Sequence, residues 1–377
     1  MAERFPLQGR RVAEVLATST GGVGTHVRAV LPALVAAGAD VRVCGPAATE
    51  QLFGFTAAGA AFAPVGISAG LSPGADARAV AALRRATADA DLVHAHGLRA
   101  GLVAAAARRL GDRSRPLVLT LHNALPEGGG ALRRVLRLAE RATIRGADVV
   151  LAASGDLAGN AWRQGARDVR VAPVSAPPLP AAARTAAEVR AELGLADGRP
   201  LVVAVGRLHP QKGYDVLLDA AARWAGSSPP PPPLVAVAGD GPLQDELAAR
   251  IAAERLPVVL LGRRSDVADL LAAADLAVLA SRWEARSLTA QEALRTGTPL
   301  VATRVGGLPE LLGDGAQLVP VGDATALADA VTGLLSDPAR AQRLAEAGSR
   351  QAATWPDEAV TARQLVALYR ELLGAPR

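Results

Sequence analysis

Residues 274–296, ADLAVLASRWEARSLTAQEALRT, form the stretch from which the fold can be inferred. Residues 274–280 are a largely apolar run with the length of a fully buried parallel strand. A helix is predicted to begin near Ser287 and to end at Thr296, because a glycine and a proline follow as a stop signal. The stretch therefore predicts a strand, a loop and a helix in succession, as in an α/β fold.

Two glutamates of this stretch, Glu284 in the loop and Glu292 about one turn into the helix, suggest a ligand site. Eight positions apart in one helix they would lie ~80° apart, but a loop residue and a helical residue can converge. The free amides of the helix N-terminus attract anions, and carboxylates accept hydrogen bonds from sugar hydroxyls. A ligand that has both phosphate and hydroxyl groups would match these amides and carboxylates. The alternative is a capping box, in which Thr289 caps the helix and Glu292 reaches back.

Length and composition limit the kinds of protein this can be. A chain of 377 residues with 50% hydrophobic content is long enough for two globular domains. Aromatic residues make up 3%, and the acidic and basic residues behind the net charge of +5 are interspersed along the chain, so no nucleic-acid partner is expected. Without an apolar run of ~18 to 20 residues or an apolar signal core, we expect a cytoplasmic protein. Cys44 is the only cysteine, which excludes a cysteine-based metal site.

The first half of the chain alternates apolar strands with alanine-rich helices, which predicts a doubly wound parallel sheet. Strands are predicted at residues 11–17, 41–44, 91–96, 116–122, 148–152 and 169–171. The glycine-rich turn 21–24 follows the first strand, and a helix is predicted over 27–37. Val27 stands where a dinucleotide fingerprint has its third glycine, so a nicotinamide cofactor is not expected.

Histidines mark the carboxyl ends of these strands, where such sheets bind ligands. Four of the five histidines fall at or just past a predicted strand end: His26, His94, His96 and His122. His122, followed by Asn123, is the strongest candidate for ligand contact. A satisfied structural histidine is the alternative for each of them.

A helix predicted near residues 131–145 carries arginines four residues apart, at 133, 137, 141 and 145. Such a basic amphipathic helix is typical of peripheral contact with anionic lipid at the inner face of a membrane. An ordinary solvated helix face is the alternative.

A second set of strands begins after the prolines at 173, 177, 178 and 180, which predict a linker. These strands are predicted at residues 201–205, 234–238, 258–261, 276–279 and 300–302, with a surface loop at the proline run 229–233. The first is followed by Arg207 and by Lys212, the only lysine of the chain. Two fixed cations in a strand-to-helix loop suit a diphosphate, and two solvated charges are the alternative.

Four motifs occur in order along nearly the whole chain: the Gly21-Gly22 loop with His26, the strand ending at His122, Gly206-Arg207 with Lys212-Gly213, and Glu284 to Glu292 followed by residues 306–310, GGLPE. With this ordered set the chain resembles the retaining glycosyltransferases of family 4. The resemblance implies an α/β GT-B fold, with two doubly wound Rossmann-like domains facing across a cleft. Residues 1–178 would form the acceptor domain, 179–355 the donor domain, and 356–377 a C-terminal helix that packs back on the first domain.

The resemblance also implies roles for particular residues. Arg207 and Lys212 would neutralise the diphosphate, Glu292 would accept the ribose hydroxyls, Glu284 would hold the transferred sugar, and His122 would contact that sugar near its reacting carbon. The implied catalytic residues are His122, Glu284, Arg207 and Lys212. The implied donor-binding residues are Gly22, Gly206, Arg207, Lys212, Gly239, Arg263, Glu284, Arg286, Ser287, Leu288 and Glu292. The implied acceptor-binding residues are Gly21, Gly22, His26, His96 and Asn123.

The implied activity is metal-independent transfer of a sugar, with retention of configuration, from a nucleoside diphosphate sugar to a small-molecule, glycan or lipid-linked acceptor. No cofactor is expected, because fixed cations can stabilise the leaving diphosphate. A sugar-nucleotide epimerase of the same fold and a non-catalytic nucleotide-sugar binder remain open.

The sequence departs from the family pattern directly after the first glutamate. Where a glycine and an aromatic residue are usual, this chain has Ala285-Arg286-Ser287. We expect backbone strain at Ala285, since glycine favours positive φ, and an additional phosphate contact from Arg286.

Overall fold

A computed structural model describes residues 5–19, 21–124, 130–172, 174, 176, 179–195, 198–225 and 232–374, with the side chains of 131 and 132 left out. The chain forms two compact units: Met1–Ser175 with Pro356–Arg377, and Ala176–Trp355. Of the predicted linker and proline-loop residues, 173, 177, 178 and 229–231 lie outside the described residues.

The first unit contains a seven-stranded parallel sheet in the order β3-β2-β1-β4-β5-β6-β7. Its strands are β1 Arg11–Leu16, β2 Asp40–Gly45, β3 Ala61–Pro64, β4 Leu92–His96, β5 Leu117–Leu121, β6 Val149–Ala152 and β7 Val169–Val171. Its helices up to this point are α1 Gly22–Ala36, α2 Ala47–Phe53, α3 Pro73–Ala86, α4 Leu98–Arg109, α5 Gly130–Gly146 and α6 Gly155–Gln164. The strand order reverses between β1 and β4, and such a switch point is where doubly wound sheets bind ligands.

The second unit contains a six-stranded sheet, also parallel, in the order β10-β9-β8-β11-β12-β13. Its strands are β8 Leu201–Val205, β9 Leu234–Ala238, β10 Val258–Leu260, β11 Leu276–Leu279, β12 Leu300–Thr303 and β13 Gln317–Val319. Its helices are α7 Ala186–Glu192, α8 Tyr214–Ala225, α9 Gln244–Glu254, α10 Val267–Ala273, α11 Leu288–Arg295, α12 Leu308–Leu312, α13 Ala324–Leu335 and α14 Pro338–Ala353. The switch point of this sheet lies between β8 and β11.

The last helix, α15 Glu358–Gly374, belongs to the first unit. Leu365, Leu368 and Tyr369 are buried in the same apolar core as the β1 side chains. Arg170 of β7 forms an ion pair with Glu371 at 2.7 Å on the surface of the same unit. The C-terminal helix α15 is therefore part of the same hydrophobic core as the N-terminal strand β1.

The doubly wound sheets predicted from the sequence are confirmed, and the side chains of their central strands are mostly apolar and buried on both faces. Of the four edge strands, β7 and β10 are confirmed, whereas β3 and β13 were not predicted. The helix predicted over 27–37 begins at Gly22 instead. A Cβ on Gly24 would lie 2.1 Å from the Phe53 ring, so this glycine serves helix packing and does not break the helix.

No helix in the part of the chain that the structure describes is long and apolar enough to cross a membrane.

Candidate functional site

Three loops of the second unit meet at the carboxyl edge of its sheet. They are residues 206–213 after β8, 280–287 after β11 and 304–307 after β12, and together they are named the loop cluster. Because β8 and β11 flank the switch point, the loop cluster lies where a ligand site is expected.

Backbone hydrogen bonds fix the loop that carries Glu284. The Arg282 amide donates to the Gln211 carbonyl at 2.7 Å, and the Gln211 side-chain amide donates to the Trp283 carbonyl at 2.8 Å. On the other side, the Gly307 amide donates to the Glu284 carbonyl at 2.8 Å. The loop is therefore held by both of its neighbours.

Two glycines make this close packing possible. Gly213 has φ +64° and a Cβ there would lie 2.1 Å from the Ala280 carbonyl oxygen. Gly306 has φ +53° and a Cβ there would lie 2.0 Å from the Glu284 carbonyl oxygen. Glycine is needed at both positions, for its conformation and for space.

The buried Glu284 carboxylate accepts two hydrogen bonds on one oxygen. Lys212 Nζ lies 2.5 Å from Oε1 and Ser281 Oγ donates to Oε1 at 2.7 Å. Oε2 accepts no hydrogen bond from the described residues, so it can accept one from a ligand hydroxyl. The only lysine of the chain thus forms an ion pair with the first glutamate of the motif.

Ser287 caps α11, since its Oγ accepts from the Ala290 amide at 3.3 Å. The capping box with Thr289 is therefore wrong. The half-buried Glu292 carboxylate makes no hydrogen bond with the described residues, and burial raises its pKa while Arg295 opposes the shift. Glu292 is left with acceptor oxygens for a ligand.

The expected strain at Ala285 is wrong, because among the described residues Arg255 is the one non-glycine with positive φ. Arg286 places its guanidinium over the Trp355 ring, 5.7 Å from the centroid. Its Nε and Nη2 atoms are buried and have no hydrogen-bond partner among the described residues. Burial lowers the Arg286 pKa to about 10.

Helix α11 also holds the ends of the second unit, which the sequence did not predict. The Gln291 Oε1 atom accepts from the Ala176 amide at 3.0 Å, and the Arg295 guanidinium donates to the Ala176 carbonyl. Arg295 lies 5.8 Å from the centroid of the Trp355 ring. The first and last residues of this unit are therefore bound to the helix that carries Glu292.

In the first unit, side chains at the carboxyl edge of the sheet form a histidine cluster: Glu14, His26, His94, His96, His122 and Tyr369. His96 Nε2 lies 2.7 Å from Glu14 Oε2, and His96 Nδ1 lies 3.3 Å from His122 Nε2. Tyr369 donates from its hydroxyl to Glu14 Oε1 at 2.7 Å. Glu14 could have been found from the sequence, as a charged residue inside an apolar strand.

Two of the histidines differ from their predicted placement. His94 lies within β4, is fully buried and is hydrogen-bonded at both ring nitrogens, to Tyr369 and to the Thr120 hydroxyl, each at 2.6 Å. It fits the structural alternative. His26 lies inside α1, with ring centroids 5.8 Å from His96 and 5.5 Å from His122.

Burial keeps most of these imidazoles uncharged. It lowers the pKa of His26 to about 3 and the pKa values of His94 and His122 as well, and neighbouring histidines lower all three further. At neutral pH these three rings are neutral hydrogen-bonding groups.

Three atoms of the cluster lie close enough to one another to hold a cation. One oxygen of Glu14 and one ring nitrogen each of His94 and His96 are within 4.8 Å of each other. The carboxylate and both rings already have hydrogen-bond partners in the protein.

Comparison with known proteins identifies the family. Residues 21–177 match the model of the glycosyl transferase 4-like domain, and residues 186–351 match that of glycosyl transferases group 1. The D-inositol 3-phosphate glycosyltransferase of Corynebacterium urealyticum is 32% identical over 309 residues, 76% of this chain and 72% of that protein. The chain belongs to the glycosyl transferases group 1 family. The family inferred from the motifs, and the enzyme class, are confirmed.

This glycosyltransferase also resembles the alpha-maltose-1-phosphate synthase of Mycobacterium tuberculosis, with 31% identity over 325 residues, 77% of this chain and 81% of that one. Among solved structures, Anabaena Alr3699/HepE in complex with UDP and glucose has a TM-score of 0.81 at 24% identity and covers 96% of this chain and 100% of its own. A glycosyltransferase from Rickettsia africae has a TM-score of 0.78 at 16% identity, covering 97% and 99%. The GT-B fold is confirmed.

The remaining predicted site residues of the glycosyltransferase lie at carboxyl edges of the sheets. Gly21 and Gly22 are exposed at the start of α1, and Asn123 is exposed after β5. In the second unit, Gly206 and Gly239 follow β8 and β9, and Ser287 and Leu288 begin α11, while Arg207 and Arg263 are exposed. A Cβ on Gly239 would lie 1.9 Å from the Gly206 carbonyl oxygen, so these two loops touch.

One cavity of the glycosyltransferase lies away from all of these residues. It has a volume of about 490 Å³ and lies at the amino ends of β4 and β5, lined in part by Arg84, Arg108 and Arg115. Arg108 and Arg115 already donate to backbone carbonyls of their own unit.

Proposed function

We propose that this glycosyltransferase moves a sugar from a nucleoside diphosphate sugar to an acceptor hydroxyl, with retention of configuration and without a metal ion. The observation that carries the proposal is the loop cluster, where the Lys212–Glu284 pair lies beside the N-terminus of α11. An ammonium, free helix amides and a carboxylate acceptor match a ligand that has a diphosphate and sugar hydroxyls.

The names of similar proteins support this donor class. Alr3699/HepE has been solved in complexes with UDP, with UDP and glucose, and with UDP-glucose. The relatives named above are a glycosyltransferase of D-inositol 3-phosphate and a synthase of alpha-maltose-1-phosphate. The proposed acceptor is a small molecule, a glycan or a lipid-linked molecule.

In the proposed reaction, the bond between the sugar and the diphosphate breaks and negative charge develops on the leaving phosphate. Lys212 and Arg207 would stabilise that charge, since a preplaced cation acts most strongly where charge appears in the transition state. The acceptor oxygen would attack from the same face, and its proton would pass to the leaving phosphate oxygen. Positive side chains thus do the work that a metal ion does in other transferases.

Glu284 is proposed to bind a hydroxyl of the transferred sugar and not to attack it. One of its oxygens is already bound to Lys212 and Ser281, which lowers its nucleophilicity and leaves Oε2 as an acceptor. The open carboxylate of Glu292 would accept the ribose hydroxyls. In the first unit, His122 would contact the sugar near its reacting carbon.

The proposal is tested with a panel of UDP-glucose, UDP-N-acetylglucosamine, GDP-mannose and ADP-glucose, with and without D-inositol 3-phosphate and simple sugars as acceptors. We expect nucleoside diphosphate release with one donor, a product of unchanged anomeric configuration in its NMR spectrum, and the same rate in EDTA. A product of inverted configuration or a rate lost in EDTA and restored by Mg²⁺ would contradict the mechanism. Sugar interconversion without acceptor would indicate the epimerase, and binding without turnover the non-catalytic binder.

A further inference from the structure

The histidine cluster contains a continuous chain of hydrogen bonds. A substrate contact by His122 alone would not require this chain. Tyr369 of α15 donates to Glu14 of β1 at 2.7 Å, and His96 at the end of β4 meets the same carboxylate at 2.7 Å. His96 then meets His122, just past β5, at 3.3 Å. Glu14 and His96 are fully enclosed, with side-chain exposures of 0%, so water does not supply alternative partners.

The position of each proton along this chain follows from counting donors and acceptors. The single proton of the Tyr369 hydroxyl goes to Glu14 Oε1, so the hydroxyl oxygen accepts from His94 Nδ1. Because burial keeps His94 neutral, its Nε2 has no proton and accepts from the Thr120 hydroxyl. His94 is satisfied on both sides and forms a side branch of the chain.

The count continues to His122. Glu14 Oε2 is an acceptor, so the singly protonated form of His96 has its proton on Nε2 and presents Nδ1 as an acceptor. The facing Nε2 atom of His122 must then have the proton of that neutral ring. Its Nδ1 atom accepts no hydrogen bond from the described residues and is left for a ligand.

We propose that Glu14 is a positioning residue which, through His96, holds His122 in the tautomer with its proton on Nε2. In that tautomer Nδ1 of His122 accepts a hydrogen bond from a substrate hydroxyl. This inference rests on the proposed function, in which His122 contacts the sugar. Tyr369 anchors the chain of hydrogen bonds to the C-terminal helix.

A cation held by Glu14, His94 and His96 is the other use of these atoms, and it predicts the opposite tautomer. It would need Nε2 of His96 without a proton, so the proton of that ring would lie on Nδ1 and point at His122. His122 would then accept on Nε2 and have its own proton on Nδ1. The tautomer of His122 therefore distinguishes the positioning role of Glu14 from a bound cation.

The direct test is a long-range ¹H–¹⁵N correlation spectrum of the full chain labelled with ¹⁵N-histidine. We expect the wild type to show a proton on Nδ1 of His94 and on Nε2 of His96 and His122. Glu14→Met keeps a side chain of similar length but removes the carboxylate. The buried Nε2 donor of His96 then has no acceptor, which costs free energy. We expect His96 and His122 both to move their protons to Nδ1.

Activity gives the second readout, measured as UDP release from UDP-glucose or release from whichever donor of the panel turns over. We expect kcat of Glu14→Met to fall at least about tenfold, since small misplacements of reacting groups cost that much or more. KM for the donor should stay within about twofold, because in the proposed function most donor contacts, including those to the diphosphate, come from the second unit, which the substitution does not touch. Thr120→Val, which breaks only the side branch at His94, should leave the tautomer of His122 and kcat unchanged within about twofold.

Stabilisation of each variant by UDP in thermal melts shows whether it folds. If Glu14→Met does not, His96→Gln replaces it, since glutamine can reach Glu14 but not His122. A mixture of His122 tautomers is then expected. A wild-type His122 protonated on Nδ1, or a His122 tautomer that neither variant alters, overturns the proposal. A wild type that turns over no nucleotide sugar counts against the proposed function, while the histidine spectrum still tests the positioning role.

Discussion

The loop cluster and the histidine cluster occupy the same place in two similar sheets but are built in different ways. Each lies at the carboxyl edge beside a switch point, between β8 and β11 or between β1 and β4. In the loop cluster, backbone hydrogen bonds between loops set the geometry, and a partly exposed Lys212 forms an ion pair with a buried Glu284. In the histidine cluster, bonds between buried side chains set the geometry.

This difference separates what a charged ligand needs from what an uncharged one needs. Fixed charge binds anions such as a diphosphate, which in the proposed function would meet the cation and the free helix amides of the second unit. Neutral imidazoles in the first unit offer directional hydrogen bonds without repelling or trapping an anion. Variants in the two clusters should therefore differ in which kinetic constant they change.

The largest effect is expected at the charged pair. Glu284→Gln removes the negative charge that pairs with Lys212 and leaves one acceptor oxygen for both Lys212 and a sugar hydroxyl, so kcat/KM for the donor should fall about 100-fold or more. Glu284→Asp, which keeps the charge, should lose less. Steady-state kinetics with the donor found in the panel measures both. If Glu284→Gln keeps nearly full activity, the loop cluster is not the donor site.

The backbone bracing of the loop cluster is tested at Gly306. Gly306→Ala adds a Cβ 2.0 Å from the Glu284 carbonyl, so the loop must move, and the donor KM should rise severalfold with a stability loss of ~1 to 3 kcal/mol. Gly322→Ala is the matched control, because Gly322 also has a positive φ, +75°, but open space around it. It should lose about 1 kcal/mol and keep its KM. Denaturant titrations and donor kinetics that do not distinguish the two variants would contradict the bracing.

The buried histidines predict a dependence of stability on pH. His26 and His94 have lowered pKa values in the folded protein, against a usual 6.5, first because of burial and second because of nearby histidines. Below pH 6.5 the unfolded chain binds more protons, so the free energy of unfolding should fall as pH decreases, by about 1.4 kcal/mol per pH unit for each histidine. Denaturant titrations between about pH 7 and 5 measure the slope. His26→Gln should reduce it, and an unchanged slope would show that His26 is not neutral in the folded state.

The smallest effect is expected at Arg286. Its guanidinium lies over Trp355, so Arg286→Phe should leave the donor KM unchanged and alter the free energy of unfolding by at most about 1 kcal/mol, since two unpaired buried nitrogens are removed. Arg286→Ala leaves a gap beside Trp355 and serves as the comparison. A donor KM that rises in both variants would instead support a phosphate contact from Arg286.

The two clusters also differ in how much of them the sequence predicts. The loop cluster is predictable because its residues follow apolar strands at short, recognisable spacings. Lys212 is the only lysine of the chain, and Glu284 is an acidic residue shortly after a buried strand. The four histidines of the histidine cluster are predicted at strand ends in the same way, but their contact with Tyr369 is not, because Tyr369 lies 355 residues from Glu14 and 275 residues from His94 along the chain. The packing of Gly24 against Phe53 on α2 was missed for a similar reason, so the glycines of residues 22–24 were predicted as a turn and not as the first turn of α1.

The central claim is that the loop cluster binds a nucleoside diphosphate through Lys212 without a metal ion. Isothermal titration of UDP, GDP and ADP into wild-type protein and Lys212→Gln, both in EDTA, tests it most directly. We expect one nucleotide to bind the wild type at one site and to bind Lys212→Gln at least about tenfold more weakly, since a charged hydrogen bond to the diphosphate is lost. Equal affinity of the two proteins for that nucleotide, or no binding by the wild type, would contradict the claim.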